Sequence, residues 1–180
     1  IAGNVTYGLY AGHSGTFSLN GTSITGHSTY DLYVGSGVTG GTIQSAALTS
    51  VYEGSGRVTF AGCSMGPGYG NPQSSVHAND LGSFLTSTFS SIPAPKTTVL
   101  GGNVSKDATW TTAAGTLVSN GSLSVEGTDG PDSVTTLTIS PGVVLQMPQS
   151  SLVYVAYGIG IGAGPGALIA DGDSRPGAPA

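Results

Sequence analysis

Two consecutive stretches near the amino terminus decide the fold: YGLYAGHSGTFSLNGTSITGHST (Tyr7 to Thr29) and YDLYVGSGVTGGTIQSAALTSV (Tyr30 to Val51). Each begins with a Tyr-x-Leu-Tyr strand, passes through a glycine turn into a Thr-rich strand, and ends with another apolar pair. The second stretch starts 23 residues after the first, and a further tyrosine follows at Tyr52. A repeat of this length is typical of a parallel solenoid, in which like residues stack between coils.

The stretch TTLTISPGVVLQM (Thr135 to Met147) supports the same fold in the second half of the chain. A tight hairpin needs positive φ angles, which proline cannot adopt. The Ser-Pro-Gly at Ser140 to Gly142 therefore predicts a corner between two faces of one coil, with flanking strands that do not pair. We expect strands over residues 116–118, 122–125, 136–139, 143–145, 152–155 and 167–170. Alternate members of this series predict two stacked ladders: Leu117, Leu137 and Leu152, and Val125, Leu145 and Ile169.

The middle of the chain, residues 65–98, is rich in Pro, Gly, Asn and Ser. It predicts a loop excursion that packs an apolar patch onto the side of the solenoid, with a short helix over Asn79 to Phe89. The N-terminal coils then cover residues 1–64 and the C-terminal coils residues 99–180. The fold class is all-β, one continuous parallel β-helix of about six to eight coils.

Composition narrows the function. The chain has 180 residues, a net charge of −5 and four strong cations, which argues against nucleic-acid or anionic-membrane partners. Residues 152–170 are uncharged, but their alternation and five glycines favour strands over a membrane span. Cys63 is the only cysteine, so no internal disulfide is expected. Low charge and abundant Ser and Thr are typical of secreted proteins, and we expect an extracellular or cell-surface location.

Four phrases of the C-terminal third carry a resemblance: GGNVSKDATW (Gly101 to Trp110), SLSVEG (Ser122 to Gly127), TTLTISPGVVLQM, and GALIADG (Gly166 to Gly172). They resemble the right-handed parallel β-helix repeats of large secreted bacterial surface proteins. The resemblance covers residues from about 100 to 180 and implies a right-handed, adhesin-like module. The chain shows no obvious polar cap at either end, so we expect copies to stack end to end, as a filament subunit or within a long adhesin.

Five tyrosines recur at coil spacing and are the candidate binding residues: Tyr7, Tyr10, Tyr30, Tyr33 and Tyr52. A stacked aromatic stripe would suit a surface glycan or a protein, because tyrosine joins an apolar ring to a polar tip. The alternative is that tyrosines such as Tyr7 and Tyr30 stack within the core, and the sequence leaves both open. A surface glycan-binding module is thus the second candidate function.

A polysaccharide lyase or hydrolase is the third candidate, because such enzymes use clustered carboxylates. The repeat brings Asp31 and Glu53 to neighbouring coils, although solvated acids at a corner are the simpler interpretation. Cys63 could pair with His13, His27 or His77 as a nucleophile, but nothing near it would lower the thiol pKa, and a buried, inert cysteine is favoured. We therefore expect no enzymatic activity from the leading function.

Two acidic turns and four sequons complete the candidate sites. TDGPDS and ADGDS offer oxygen ligands for calcium at Asp129, Asp132, Asp171 and Asp173, although ordinary Asp-Gly turns explain them as well. No other cofactor is indicated. Asn-x-Ser/Thr sequons occur at Asn4, Asn20, Asn103 and Asn120, and they matter only in a host that glycosylates.

Overall fold

Short strands make up most of the chain in the computed structural model, which describes residues 1–2, 6–66, 74–90, 96–156 and 164–170. The first half contains the following elements: β1 (Tyr7–Ala11), β2 (Thr16–Asn20), β3 (Ser23–Ile24), β4 (Tyr30–Val34), β5 (Gly40–Gln44), β6 (Ala47–Leu48), β7 (Val51–Glu53), β8 (Val58–Ala61), β9 (Ser64–Met65), β10 (Ser75–His77), α1 (Ala78–Phe84) and β11 (Thr88–Phe89). The second half contains β12 (Lys96–Leu100), β13 (Gly102–Val104), β14 (Ala108–Trp110), a 3₁₀ turn (Thr112–Ala114), β15 (Thr116–Ser119), β16 (Leu123–Val125), β17 (Thr135–Ile139), β18 (Leu145–Gln146), β19 (Val153–Val155) and β20 (Gly166–Ala170).

All of these strands pair in parallel within five sheets. One seven-stranded sheet has the order β1-β4-β7-β10-β12-β15-β18 and runs through the whole described molecule. The sheets β2-β5-β8 and β11-β9-β6-β3 belong to the first half, and β13-β16-β19 and β14-β17-β20 to the second. We call each successive strand of the seven-stranded sheet, with the elements that follow it, a rung. The prediction of an all-β chain with parallel pairing is confirmed.

The pairing register follows the sequence repeat at the amino terminus. Tyr7 pairs with Tyr30 and Leu9 with Leu32, each 23 residues apart. The next step is shorter, because Tyr33 pairs with Tyr52. Inward residues therefore pile up in columns of aliphatic side chains that exclude water, the main favourable contribution to folding.

The two ladders predicted for the C-terminal third are wrong in register. Leu117 pairs with Leu145, and Leu137 with Leu168. Val125 pairs with Val155 rather than Leu145. Each rung here contributes three strands, so taking alternate strands joined residues that belong to different sheets. The strands themselves were predicted at nearly the observed positions.

The Ser-Pro-Gly corner behaves as predicted. Strand β17, before it, pairs with β14 and β20, whereas β18, after it, pairs with β15. Gly142 has φ of 84°, a left-handed conformation that suits glycine. The strands on either side of the corner thus lie in different sheets.

The middle of the chain differs from the predicted side excursion. Strand β10 pairs with both β7 and β12, so this segment provides the fourth strand of the seven-stranded sheet. The helix is shorter than predicted and ends at Phe84, because Phe89 belongs to β11, which pairs with β9. Helix α1 takes the place of a strand of the second sheet, and its Phe84 ring meets Phe60 edge-on at 5.2 Å.

Candidate functional site

The five candidate tyrosines form one cluster on the outer face of the first three rungs. The rings of Tyr10, Tyr33 and Tyr52 are nearly parallel, at 7°, with centroids 4.8 and 4.7 Å apart. Tyr7 and Tyr30 flank this stack with tilted rings, 5.5 Å from Tyr10 and 5.6 Å from Tyr52 respectively. None of the five belongs to the buried core. Of the two predicted placements, the outer stripe is therefore the observed one.

An irregularity of the backbone brings the tyrosines to the same face. The N–H groups of Asp31 and Leu32 both donate to the carbonyl of Ser50, at 3.1 and 3.3 Å, and both side chains are buried. Two consecutive inward residues interrupt the alternation of a regular strand. Tyr30 and Tyr33, three residues apart, consequently both project outward.

Glycines make room for the stacked rings. A Cβ on Gly12 would overlap the Cε1 atom of Tyr10, and a Cβ on Gly54 would lie 3.1 Å from Cε1 of Tyr52. The same Tyr-x-Gly spacing occurs in the intervening rung. Each ring thus leans over a glycine two residues further along its strand, which fixes the position of the stack.

The central hydroxyl of the stack stays protonated at neutral pH. Burial raises the pKa of Tyr33 above its usual value, and the neighbouring Tyr52 and Tyr10 add to the rise. The register continues the outer column from Tyr52 to Ser75, so the aromatic row ends at the third rung. The surface offers ring edges and neutral hydroxyl groups, while the parallel ring faces are occupied by one another.

Asp31 lies in the interior, fully buried with His27. Its Oδ1 faces Nδ1 of His27 at 2.8 Å and accepts the His27 backbone N–H at 3.2 Å. Its Oδ2 accepts the N–H groups of Thr49 and Ser50, at 2.6 and 3.2 Å, and the Thr49 hydroxyl. The carboxylate therefore joins two rungs through groups of the protein itself.

Glu53 is equally buried and equally well bonded. Its Oε1 accepts the N–H and hydroxyl of Ser55, at 2.7 and 2.6 Å, and the N–H of Gly56 at 3.0 Å. Its Oε2 accepts the backbone N–H of His77 in the next rung at 3.1 Å. Buried carboxylates with this many donors are structural anchors of the backbone.

Asp31 and Glu53 do not stack as an acid pair. The register places Val34 beside Glu53, three residues away from Asp31, and both carboxylates face inward, away from the tyrosines. Cys63 is buried, and its thiol donates to the carbonyl of Ile43 at 3.4 Å. His13 is exposed on the first rung.

A second acid, Asp80, lies near Glu53 and was not predicted as a site residue. Its Oδ2 accepts the Val58 N–H at 2.6 Å, and its Oδ1 is 3.3 Å from Nζ of Lys106. Burial raises the pKa of Asp80 to about 7, and the charge of Glu53 adds to the rise. Burial lowers the pKa of the adjacent His77, whose Nδ1 accepts the Asn79 N–H at 3.2 Å.

The sequence held one signal for this acid cluster of Glu53, His77, Asp80 and Lys106. Val76 pairs with Glu53 at the 23-residue offset already seen for the tyrosines. Extending the repeat past the Pro- and Gly-rich stretch would have put His77 next to Glu53. The cluster can hold a proton near neutral pH, which is its one evident chemical capacity.

The predicted calcium and glycosylation residues are separated in the structure. Asp129 accepts the N–H of Asp107 at 2.8 Å and Asp132 that of Val134 at 3.1 Å, and both lie on an exposed turn. Within the described ranges no three His, Cys, Asp or Glu side chains cluster closely enough to hold a metal. Asp171, Asp173 and Asn4 lie outside the described residues. The other three sequon asparagines, Asn20, Asn103 and Asn120, are exposed.

Large exposed apolar side chains occur at the two ends of the described molecule. The first rung and the residues before it contribute Ile1 and Tyr10, and the last rung and its flanks contribute Val144, Leu152, Val155, Leu168 and Ile169. No described helix is long and apolar enough to cross a membrane.

No family model matches the chain, and neither a curated protein nor a solved structure does. The resemblance to the repeats of bacterial surface proteins thus stays a prediction.

Proposed function

We propose that the chain is a right-handed parallel β-helix that serves as an extracellular structural or adhesive module, with copies stacked end to end. Support comes from the seven-stranded parallel sheet, whose strands follow each other in chain order with one exception of spacing rather than of order. The sparse charge and the Ser- and Thr-rich composition support the extracellular part of the proposal.

The observation that carries the proposal is the exposure of inward-facing residues in the last rung. Leu137 is fully buried, but Leu168, its register partner, is 38% exposed. Val125 is fully buried, and its partner Val155 is 37% exposed. These side chains occupy core columns and lack only the covering layer that a further rung would provide.

The first rung offers a matching surface. Strands β1 and β18 are the two outer strands of the same sheet, so a second copy can extend that sheet in parallel. Continuing the register places Leu9 of the second copy on Leu145 of the first, and Tyr10 on Gln146. Such a head-to-tail interface does not close on itself and builds a filament.

The test is the mass of the full chain in solution as a function of concentration. Analytical ultracentrifugation and negative-stain microscopy of the wild type are expected to show linear assemblies that grow with concentration. Leu168→Lys is expected to remain monomeric with its far-UV circular dichroism unchanged, because a charge on the exposed end of a core column opposes burial by a second copy.

The matched control is Thr59→Lys, which adds the same charge on the exposed outer face of β8 and should assemble like the wild type. A wild-type chain that stays monomeric at the highest soluble concentration would contradict the stacking proposal. Assemblies that persist in Leu168→Lys would contradict the proposed interface.

Glycan binding at the tyrosine cluster is the second candidate. It is favoured by the exposure of Tyr10, 54%, next to four further tyrosines. A surface glycan would contact ring edges and the free face of Tyr10. On a glycan array, Tyr10→Ala should lose the signal, whereas the buried-face change Val118→Ala should keep it; equal signals would remove this candidate.

We assign no catalytic role to Asp31 and Glu53, and no cofactor. Both carboxylates accept hydrogen bonds from backbone groups at each oxygen, which suits an anchoring role better than proton transfer.

A further inference from the structure

The parallel stack of Tyr10, Tyr33 and Tyr52 has a chemical property beyond surface binding. Each phenol lies face to face with the next, at 4.8 and 4.7 Å, on strands that are hydrogen-bonded neighbours. Tyr10 is the most exposed of the three, so a solution oxidant reaches it first. Holding two reacting groups in contact raises their effective concentration greatly.

One-electron oxidation of a tyrosine removes a hydrogen atom from the hydroxyl and leaves a phenoxyl radical, with spin at the two ring carbons next to the C–O carbon. Two such radicals couple by forming one carbon–carbon bond between these Cε atoms. Both rings then lose the Cε proton to solvent as the hydroxyl groups are restored. With a haem peroxidase and hydrogen peroxide as oxidant, two phenols and one peroxide give one dityrosine and two waters.

We propose that Tyr33 is an oxidative cross-linking site, which couples to Tyr10 to form a dityrosine bridge between the first two rungs. The bridge closes a segment of 23 residues, since Tyr10 and Tyr33 are register partners. Closing a segment of this size restricts the unfolded chain, as a disulfide does. The sequence has one cysteine, and it is buried, so no internal disulfide provides this constraint.

The glycines under the rings support the assignment. The ring of Tyr10 occupies the space where a Cβ of Gly12 would be, so the ring is held beside its neighbour rather than sampling many rotamers. The free face of Tyr10 points away from Tyr33, toward the end of the sheet. Coupling within one chain is therefore favoured over coupling between dissolved chains at low concentration.

The experiment treats the full chain, at a concentration where it is monomeric, with peroxidase and limiting hydrogen peroxide. We expect dityrosine fluorescence, a monomer lighter by two hydrogen atoms, and a cross-linked peptide pair containing Tyr10 and Tyr33. The melting temperature of the cross-linked monomer should rise by several degrees. Leu168→Lys treated in the same way should cross-link equally, which separates this proposal from end-to-end stacking.

Two controls make the result specific. Tyr33→Phe keeps the stacked ring but lacks the phenolic hydrogen, so its intramolecular dityrosine should fall to the level of wild type oxidised in denaturant. Tyr154→Phe, outside the stack, should match the folded wild type. A cross-link that does not include Tyr33, equal yields in Tyr33→Phe, or dityrosine only between chains would each overturn the proposal.

Discussion

The second rung and the last rung use the same architecture with opposite results. In the second rung the inward residues Leu32, Val34 and Ile43 are fully buried between neighbours on both sides. In the last rung the corresponding columns end, and Val155 and Leu168 remain more than one-third exposed. The difference shows that burial in this fold comes from the neighbouring rung, not from the sequence of the strand itself.

The outer faces differ as well. The first three rungs place aromatic residues in one outer column, where the last rung places Gln146. Ring stacking therefore adds to the stability of the amino-terminal rungs alone. The two regions thus separate the contribution of core columns from that of the surface row.

The largest effect is expected from a pair of leucines in one column. Leu137→Ala should lower the free energy of unfolding by about 2–5 kcal/mol, since it leaves a cavity between covered rungs. Leu168→Ala, its register partner, should cost about 1 kcal/mol, because part of its side chain is already in water. Urea unfolding at low protein concentration measures both, and equal losses would mean that the last rung is as well covered as the sixth.

A smaller, pH-dependent effect is expected inside the covered region. The pKa of Asp80 is raised from 3.8 to about 7. Between these values the folded chain keeps a proton that the unfolded chain releases, so stability falls as the pH rises from about 4 to about 7. Relative to Asp80→Asn, the wild type should lose up to about 4 kcal/mol over this window.

Urea titrations at several pH values measure that difference. His77, whose lowered pKa acts in the opposite direction below its usual value, is present in both proteins and cancels, as do Glu53 and Lys106 to first order. Asp132→Asn, on an exposed turn, controls for the loss of one negative charge. A pH-independent difference would show that Asp80 is ionised throughout.

The smallest effect is expected at the surface row. Tyr33→Ala removes two stacked contacts and should cost about 1–3 kcal/mol, since an aromatic pair contributes about 0.5–1.5 kcal/mol beyond its buried area. Val118→Ala, in the same outer column of the sixth rung, is the matched control and should cost less. Near-ultraviolet circular dichroism should lose its tyrosine signal in the first variant alone; an unchanged signal would mean that the rings do not stack in solution.

Much of the fold could be predicted from the repeat, and less of the site. The Tyr-x-Leu-Tyr pattern gave the pairing of Tyr7 with Tyr30, and the Ser-Pro-Gly gave the corner before β18. The C-terminal register was missed because loops of unequal length hide the period there. The acid cluster was missed because its members are separated by a stretch without a visible repeat, although Glu53 and Val76 keep the offset.

The sequence by itself determined that the strands pair in parallel at a spacing of about twenty residues, because like residues recur at that distance and a proline-glycine corner forbids a tight hairpin. The tertiary structure alone decided which side chains face inward. Two consecutive residues turn inward at Asp31 and Leu32, which buries a carboxylate and sends Tyr30 and Tyr33 outward together. The reason is that burial and hydrogen bonding depend on the neighbouring rung, about twenty residues away, and no pattern within a single strand specifies them.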